Sequence, residues 1–240
     1  MKKWLFVFLF VQYVVGFSQS AGKILFTSKD VIAERNNQQR TLSRGSEFFE
    51  GDKISTREGA LAQLQYSNGT LVSLQPNTTY SVVSYSKEAK AVNSAYLSRG
   101  GLQSTTSEKK KSLLGTPLVA LAIAGTKYRA AIFCNTKQCK KFAIEVTEGK
   151  VILDNRFPLG PGERQNSAIY NANTKQITYG PINWSAHGWV TFPSSQSSND
   201  ENFIDPSTLT QVVNATAVNT AANTITTILV PSLSYPCPCC

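Results

Sequence analysis

The feature that most constrains this chain is its punctuation. Between residues 23 and 162, glycine, proline, asparagine and aspartate recur roughly every ten positions and cut the chain into short runs rich in β-branched and aromatic residues. A helix needs a longer uninterrupted stretch with apolar positions three and four apart, and this region scarcely offers one. Residues 24–26, 31–33, 60–66, 71–74 and 80–85 form a first series of runs. Ala60, Ala62, Leu64 and Tyr66 alternate with Gln63 and Gln65, and Asn68-Gly69 separates that run from 71–74. Asn-Gly at such a place is the strongest short hairpin signal, because both residues accept positive φ. A second series comprises 96–97, 118–123, 128–133, 142–146 and 151–153, with turns at Gly100-Gly101, Gly125-Thr126, Gly149-Lys150 and 158–162. The pattern predicts an all-β chain of about ten to twelve short strands, arranged as a sandwich or as a β-solenoid-like stack.

The ends read differently. Met1-Lys2-Lys3, the apolar run 4–17 and the small residues around Ser18-Gln19-Ser20 have the form of a secretory signal cleaved before Ala21. The alternative of a retained anchor meets a run broken by Gln12 and shorter than the roughly 20 apolar residues that span a bilayer. The stretch 113–124 contains Gly115 and Pro117 and reads as buried strand, so no membrane span is expected after processing. The predicted organisation is a signal peptide at 1–20, a β domain at 21–165, a β extension or linker at 166–195 and a Ser/Asn/Thr-rich tail at 196–240. In that tail Val218, Ala221, Ala222, Ile225, Ile228 and Leu229 follow helical spacing among Asn and Thr, so one helix and disorder are both open. The expected location is the periplasm, or the exterior as a secreted or cell-surface protein.

Charge is uneven. Residues 21–180 hold 22 Lys and Arg against 12 Asp and Glu, whereas 181–240 hold no Lys or Arg and three acids. A basic body attracts anionic partners by long-range Coulomb forces. Export makes nucleic acid a poor partner, and Lys109-Lys110-Lys111, without interleaved aromatics, reads as a solvated loop. The expected partner is an envelope protein or an anionic envelope polymer.

Little in the sequence announces catalysis. His187 is the sole histidine, set in Trp184-Ser185-Ala186-His187-Gly188-Trp189, and no Gly-x-Ser-x-Gly elbow accompanies it, so a secreted hydrolase using His187 is a minor alternative. Glu47, Glu50 and Asp52 do not declare a glycosidase pair. Trp184 and Trp189 suit either core packing or a sugar-stacking platform, the latter implying a carbohydrate-binding protein. Cys134 and Cys139 flank four residues at a hairpin tip, which predicts a disulfide in an exported chain. Cys237, Cys239 and Cys240 leave an odd thiol whose role the sequence leaves open among intermolecular bridging, soft-metal binding, a strained internal bridge and an inert tail. No cofactor and no metal site are expected.

Five motifs in order resemble one family. Gly51-Asp52-Lys53-Ile54-Ser55-Thr56, Asn68-Gly69-Thr70-Leu71, Leu74-Gln75-Pro76-Asn77, Thr116-Pro117-Leu118-Val119-Ala120 and Gly125-Thr126-Lys127-Tyr128, followed by Glu148-Gly149-Lys150-Val151, are similar to the signatures of the FecR domain over residues 22–165. Ala124 stands where the family commonly has Arg before Gly-Thr. Each motif is also a turn with its own mechanism: Gly51 and Gly125 for positive φ or close backbone approach, Asp52 for bonding its own following amides, and Thr56, Thr70 and Thr126 for starting strands. Gly51, Asp52, Thr56, Asn68, Gly69, Thr116, Pro117, Gly125 and Thr126 are therefore read as scaffold. Regulators of that family place an anti-sigma segment and a membrane helix ahead of the domain. With a signal peptide predicted there instead, the resemblance implies an exported sensing or binding domain without intracellular output.

Overall fold

The computed structural model describes residues 19–192 apart from 89, 107–110 and 136–137. The signal-like segment 1–18, the tail helix over 218–229 and Cys237, Cys239 and Cys240 lie outside the described residues. The described chain is all-β, with fifteen strands rather than ten to twelve. In order they are β1 Ser20–Ser28, β2 Val31–Arg35, β3 Gln38–Thr41, β4 Glu47–Phe49, β5 Lys53–Thr56, β6 Leu61–Tyr66, β7 Leu71–Leu74 and β8 Thr79–Ser84. There follow β9 Asn93–Thr105, β10 Lys111–Gly115, β11 Ala120–Asn135, β12 Gln138–Leu153, β13 Phe157–Leu159, β14 Ser167–Asn171 and β15 Gln176–Tyr179. The predicted runs 118–123 and 128–133 join in β11, and 142–146 and 151–153 join in β12, while the unexpected strands include β3, Gln-Gln-Arg-Thr, whose residues carry no alternation of their own.

All fifteen belong to one sheet, folded over into two layers because β9, β11 and β12 change partners partway along. The first half of β9 pairs with β8 and, in parallel, with β10. Its second half pairs with β7 and with the second half of β11. One layer therefore runs β3-β2-β5-β8-β9-β10-β11-β12-β13, and the other β4-β1-β6-β7-β9-β11-β12-β14-β15. The bends fall at Gly100 (φ 81°), Gly125 (φ 57°) and Gly149 (φ 74°). A Cβ on Gly149 would stand 2.2 Å from the Gly125 carbonyl oxygen, so β12 crosses between the layers against β11 only where it lacks a side chain.

Between the layers lies one apolar core. Ile24, Leu64, Leu74, Leu102, Phe142 and Ile144 come from one layer, and Val31, Ile54, Val82, Leu97, Leu121 and Val151 from the other. Each side chain buried here stabilises the fold by about 1.5–3 kcal/mol relative to exposure. The layers also meet through polar atoms, since the hydroxyls of Tyr66 on β6 and Tyr80 on β8 lie 2.7 Å apart.

Four local expectations change. At Asn68-Gly69 only Gly69 has positive φ (84°), while Asn68 Oδ1 accepts from the Thr70 N–H at 3.0 Å. The Gly69 N–H donates to the Tyr66 carbonyl and the Tyr66 N–H to the Thr70 carbonyl, so the hairpin is a three-residue loop ending in a left-handed glycine. The loop expected over 135–138 is shorter, because Asn135 and Gln138 are themselves a strand pair. Finally, Thr56 closes β5 instead of opening a strand, and Lys111 opens β10, whereas Lys109 and Lys110 lie outside the described residues.

Candidate functional site

The sequence-predicted motif residues sit where the sheet turns or folds over. Gly51 (φ 84°) turns the chain so that Asp52, fully buried, accepts the Phe49 N–H at 2.8 Å. The same carboxylate receives Arg40 at 2.5 and 3.1 Å and faces Arg35 at 3.5 Å. Thr56 Oγ1 donates to the Gln75 carbonyl at 2.6 Å and accepts the Thr78 N–H at 2.9 Å. Thr78 Oγ1 in turn exchanges two 3.0 Å bonds with the Gly101 backbone at the bend in β9. Thr116 Oγ1 accepts from the Val119 N–H at 2.9 Å and donates to its carbonyl at 2.7 Å, closing the turn that carries Pro117. At Gly125-Thr126 the backbone of Thr126 exchanges bonds with the side chain of Thr106, at 2.7 and 2.8 Å. Gln75, which the sequence marks only as part of the Leu74-Gln75-Pro76-Asn77 turn, forms a two-way amide clasp with Val190: Nε2 donates to the carbonyl at 3.0 Å, and Oε1 accepts the N–H at 2.8 Å.

That clasp ends a segment, 181–192, laid across the outer face of the β4-to-β15 layer. Trp184, Ile182 and Trp189 cover Ala131, Phe133, Ala143 and Ile169 in a second, smaller apolar cluster. Trp184 is 7 % exposed, its indole N–H donates to Glu145 Oε2 at 2.6 Å, and Glu145 also receives Arg129 at 2.8 Å. Arg129 lies over the Trp184 ring at 5.3 Å. Trp189 packs edge-on against Trp184, with centroids 4.8 Å apart, and a Cβ on Gly101 would come within 3.0 Å of the Trp189 ring. The two indoles thus meet at 62° and pin the segment to the sheet.

What the segment presents outward is His187, at the end of a 3-10 turn over Ser185–His187. Its ring stacks on Phe133 at 3.9 Å with an 18° interplanar angle. Beside this pair opens a groove of about 610 Å³ lined by Phe133, Lys140, Lys141, Asn171, Asn173 and His187, at the end of the β11–β12 hairpin that carries the Cys134–Cys139 disulfide. The two cysteines pair directly across the strands, as their spacing predicted. Lys141 lies opposite Phe133 on one side and Asn171 on the other, so the strand ladder itself sets an aromatic ring, an ammonium and an amide in a row. Of the residues lining the groove, the sequence points to His187 and to the disulfide cysteine Cys134. Phe133 and Lys141 leave a signal as outward positions of a hairpin, but Asn171, 30 residues further on, does not.

A second, smaller feature lies between the layers. About 50 Å³ of space is lined by Tyr66, Tyr80, Ser104 and Tyr128 among others. Burial pushes all three phenols well above their ordinary range. They are neutral hydroxyls that bond to one another and to nearby groups. Among the described residues no group of three or more His, Cys, Asp or Glu is placed to hold a metal, and no helix is long and apolar enough to cross a membrane.

Comparison with known proteins agrees with the motif order. No curated protein matches the chain significantly. Two crystal structures of a candidate anti-sigma factor from Parabacteroides distasonis ATCC 8503 are each 19% identical with a TM-score of 0.44. Each match covers 53% of this chain and 58% of that one, so the chain spans less than two thirds of that protein. Residues 52–152 match the model of the FecR protein family, a span that runs from the buried Asp52 to the last strand crossing between the layers. Residues 52–152 are thus similar to the FecR protein family, and the sheet gains strands before and after the matched region.

Proposed function

We propose that this protein is an exported, non-enzymatic binding or sensing module of the cell envelope, which engages an envelope protein or an anionic envelope polymer through the surface of its β domain. The observation that carries the reading is the charged groove on a rigid frame. Lys140 and Lys141 stand exposed beside it, on a body holding 22 Lys and Arg against 12 Asp and Glu over 21–180. The recognisable motifs are spent on the frame: Asp52, Thr56, Thr116 and Gly125 hold turns and bends. The FecR match over residues 52–152 supports a sensing or binding role by analogy, since function resides in sites carried on a fold. Export is supported by the signal-like first 20 residues.

Capture experiments with the full chain on native envelope fractions test this. Retained material should include an acidic protein or polymer and should be lost as salt rises, because exposed charges are screened beyond about 10 Å at 0.1 M. Chain recovered from the envelope should begin at Ala21. Failure to retain any partner, together with a hydrolytic activity abolished by His187→Ala, overturns the reading.

A further inference from the structure

We infer that the groove between the β11–β12 hairpin and the turn after β14 is a binding site for a carboxylated saccharide, an acidic sugar unit of a glycan. The inference rests on the binding-module reading above and names the ligand class and place. The groove combines the three elements such a ligand requires. Phe133 holds one face of the His187 ring at 3.9 Å, and His187 is exposed, so the outer face of the imidazole offers a flat surface to the C–H face of a pyranose. Lys140 and Lys141, both exposed on β12, supply two ammonium groups for a carboxylate. Asn171 and Asn173, at the end of β14 and in the turn after it, bring amides that donate and accept, which suits ring hydroxyls. At about 610 Å³ the groove falls within the size range of small-ligand sites, roughly 300–1,000 Å³, and matches one or two sugar units.

The alternative anionic ligand, an acidic peptide, is disfavoured by the sheet itself. An extended peptide gains affinity by adding to a free strand edge. The floor of the groove at β12 and β14 is interior to its layer: Lys141 pairs with Phe133 and with Asn171, Asn171 pairs with Gln176, and the Ala172 N–H donates to the Lys140 carbonyl. Backbone groups of that floor are already committed, so side chains must do the reading there. The tryptophan pair, the sequence-level candidate for sugar stacking, serves instead to anchor the segment that presents His187.

The test is titration of the full chain with a tetramer of galacturonate, followed by Trp184 and Trp189 fluorescence and by calorimetry. A neutral hexose tetramer and a tetraglutamate peptide serve as comparators. The acidic tetramer should bind in low salt and the neutral one should not. The double substitution Lys140→Gln and Lys141→Gln should weaken binding about tenfold, equivalent to about 1.4 kcal/mol. His187→Ala should weaken it severalfold, and Lys53→Gln, remote and exposed, should leave it unchanged. All these residues are at the surface, and an unchanged unfolding midpoint in each variant shows that the fold is intact. Galacturonate binding that ignores the Lys140, Lys141 and His187 changes overturns the site while leaving the binding-module reading in place. Tetraglutamate binding as tightly as the saccharide overturns the ligand class. Absence of galacturonate binding overturns the site, and only failure of envelope capture as well removes the broader reading.

Discussion

Asp52→Ala separates frame from ligand contact at the most recognisable motif in the chain. The carboxylate is fully buried and bonded by Arg40, faced by Arg35 and capped by the Phe49 N–H. Removing it strands the Phe49 N–H, at a cost of about 1 kcal/mol, and breaks charge-assisted contacts ordinarily worth about 1.5–3 kcal/mol each. Arg35 and Arg40 are 30 and 35 % exposed, so water recovers a good part of what their guanidiniums lose. Discounting the ionic contacts by about half leaves a net loss of about 3 kcal/mol, between a solvated pair and the 3–5 kcal/mol of a fully buried one. For a domain of this size that corresponds to a fall of about 6–12 °C in Tm. Asp52→Asn keeps an acceptor for Phe49 and should lose about half as much. In the Asp52→Ala background Arg40→Ala should add little, because the two substitutions remove the same contact. Urea unfolding followed by tryptophan fluorescence and far-UV circular dichroism measures each step. An Asp52→Ala stability within about 0.5 kcal/mol of the wild type refutes the scaffold role of Asp52.

The remaining predictions concern other links in the frame. Gln75→Ala should free the end of segment 181–192, since it removes both bonds to Val190, and amide exchange at Val190 should speed up while β11 and β12 stay protected. The buried phenols of Tyr66, Tyr80 and Tyr128 stay protonated in the folded chain above the pH at which they ionise when unfolded. Their stabilising effect is therefore complete below about pH 10 and drains as pH rises through the folded values, so Tm should fall above that point. Tyr128→Phe should flatten that fall by about 1.4 kcal/mol per pH unit, visible as a shallower Tm profile between pH 10 and 12. Replacing Cys134 and Cys139 with serine should cost about 2 kcal/mol, because the closed loop is short, with unchanged far-UV circular dichroism. Peptide mapping without reductant should find the two joined in the native chain.

Local chemistry was enough to read the all-β class, the turn glycines, the Asn68-Gly69 hairpin and the Cys134–Cys139 bridge. Each depends on residues close in sequence: positive φ at Gly51, Gly69 and Gly125, and two cysteines facing across one hairpin. The order of the FecR motifs is legible for the same reason, since each is a turn that a few adjacent residues specify. The short edge strands escaped notice because nothing in Gln-Gln-Arg-Thr alternates, and β3 exists only through pairing with β2. The choice between sandwich and stack stayed open in the sequence, because the switch of partners along β9, β11 and β12 depends on how distant strands stack.

The groove belongs wholly to tertiary structure. Phe133, Lys141 and Asn171 become neighbours by register across three strands, and His187 joins them because a clasp between Gln75 and Val190, 115 residues apart, ties the last described segment to the sheet. Alternation along a strand tells which side chains share a face, but it is silent on which strands lie side by side. The sequence alone therefore determined the material of the frame and where it turns, while the long-range pairing of the sheet decided which side chains meet on its surface.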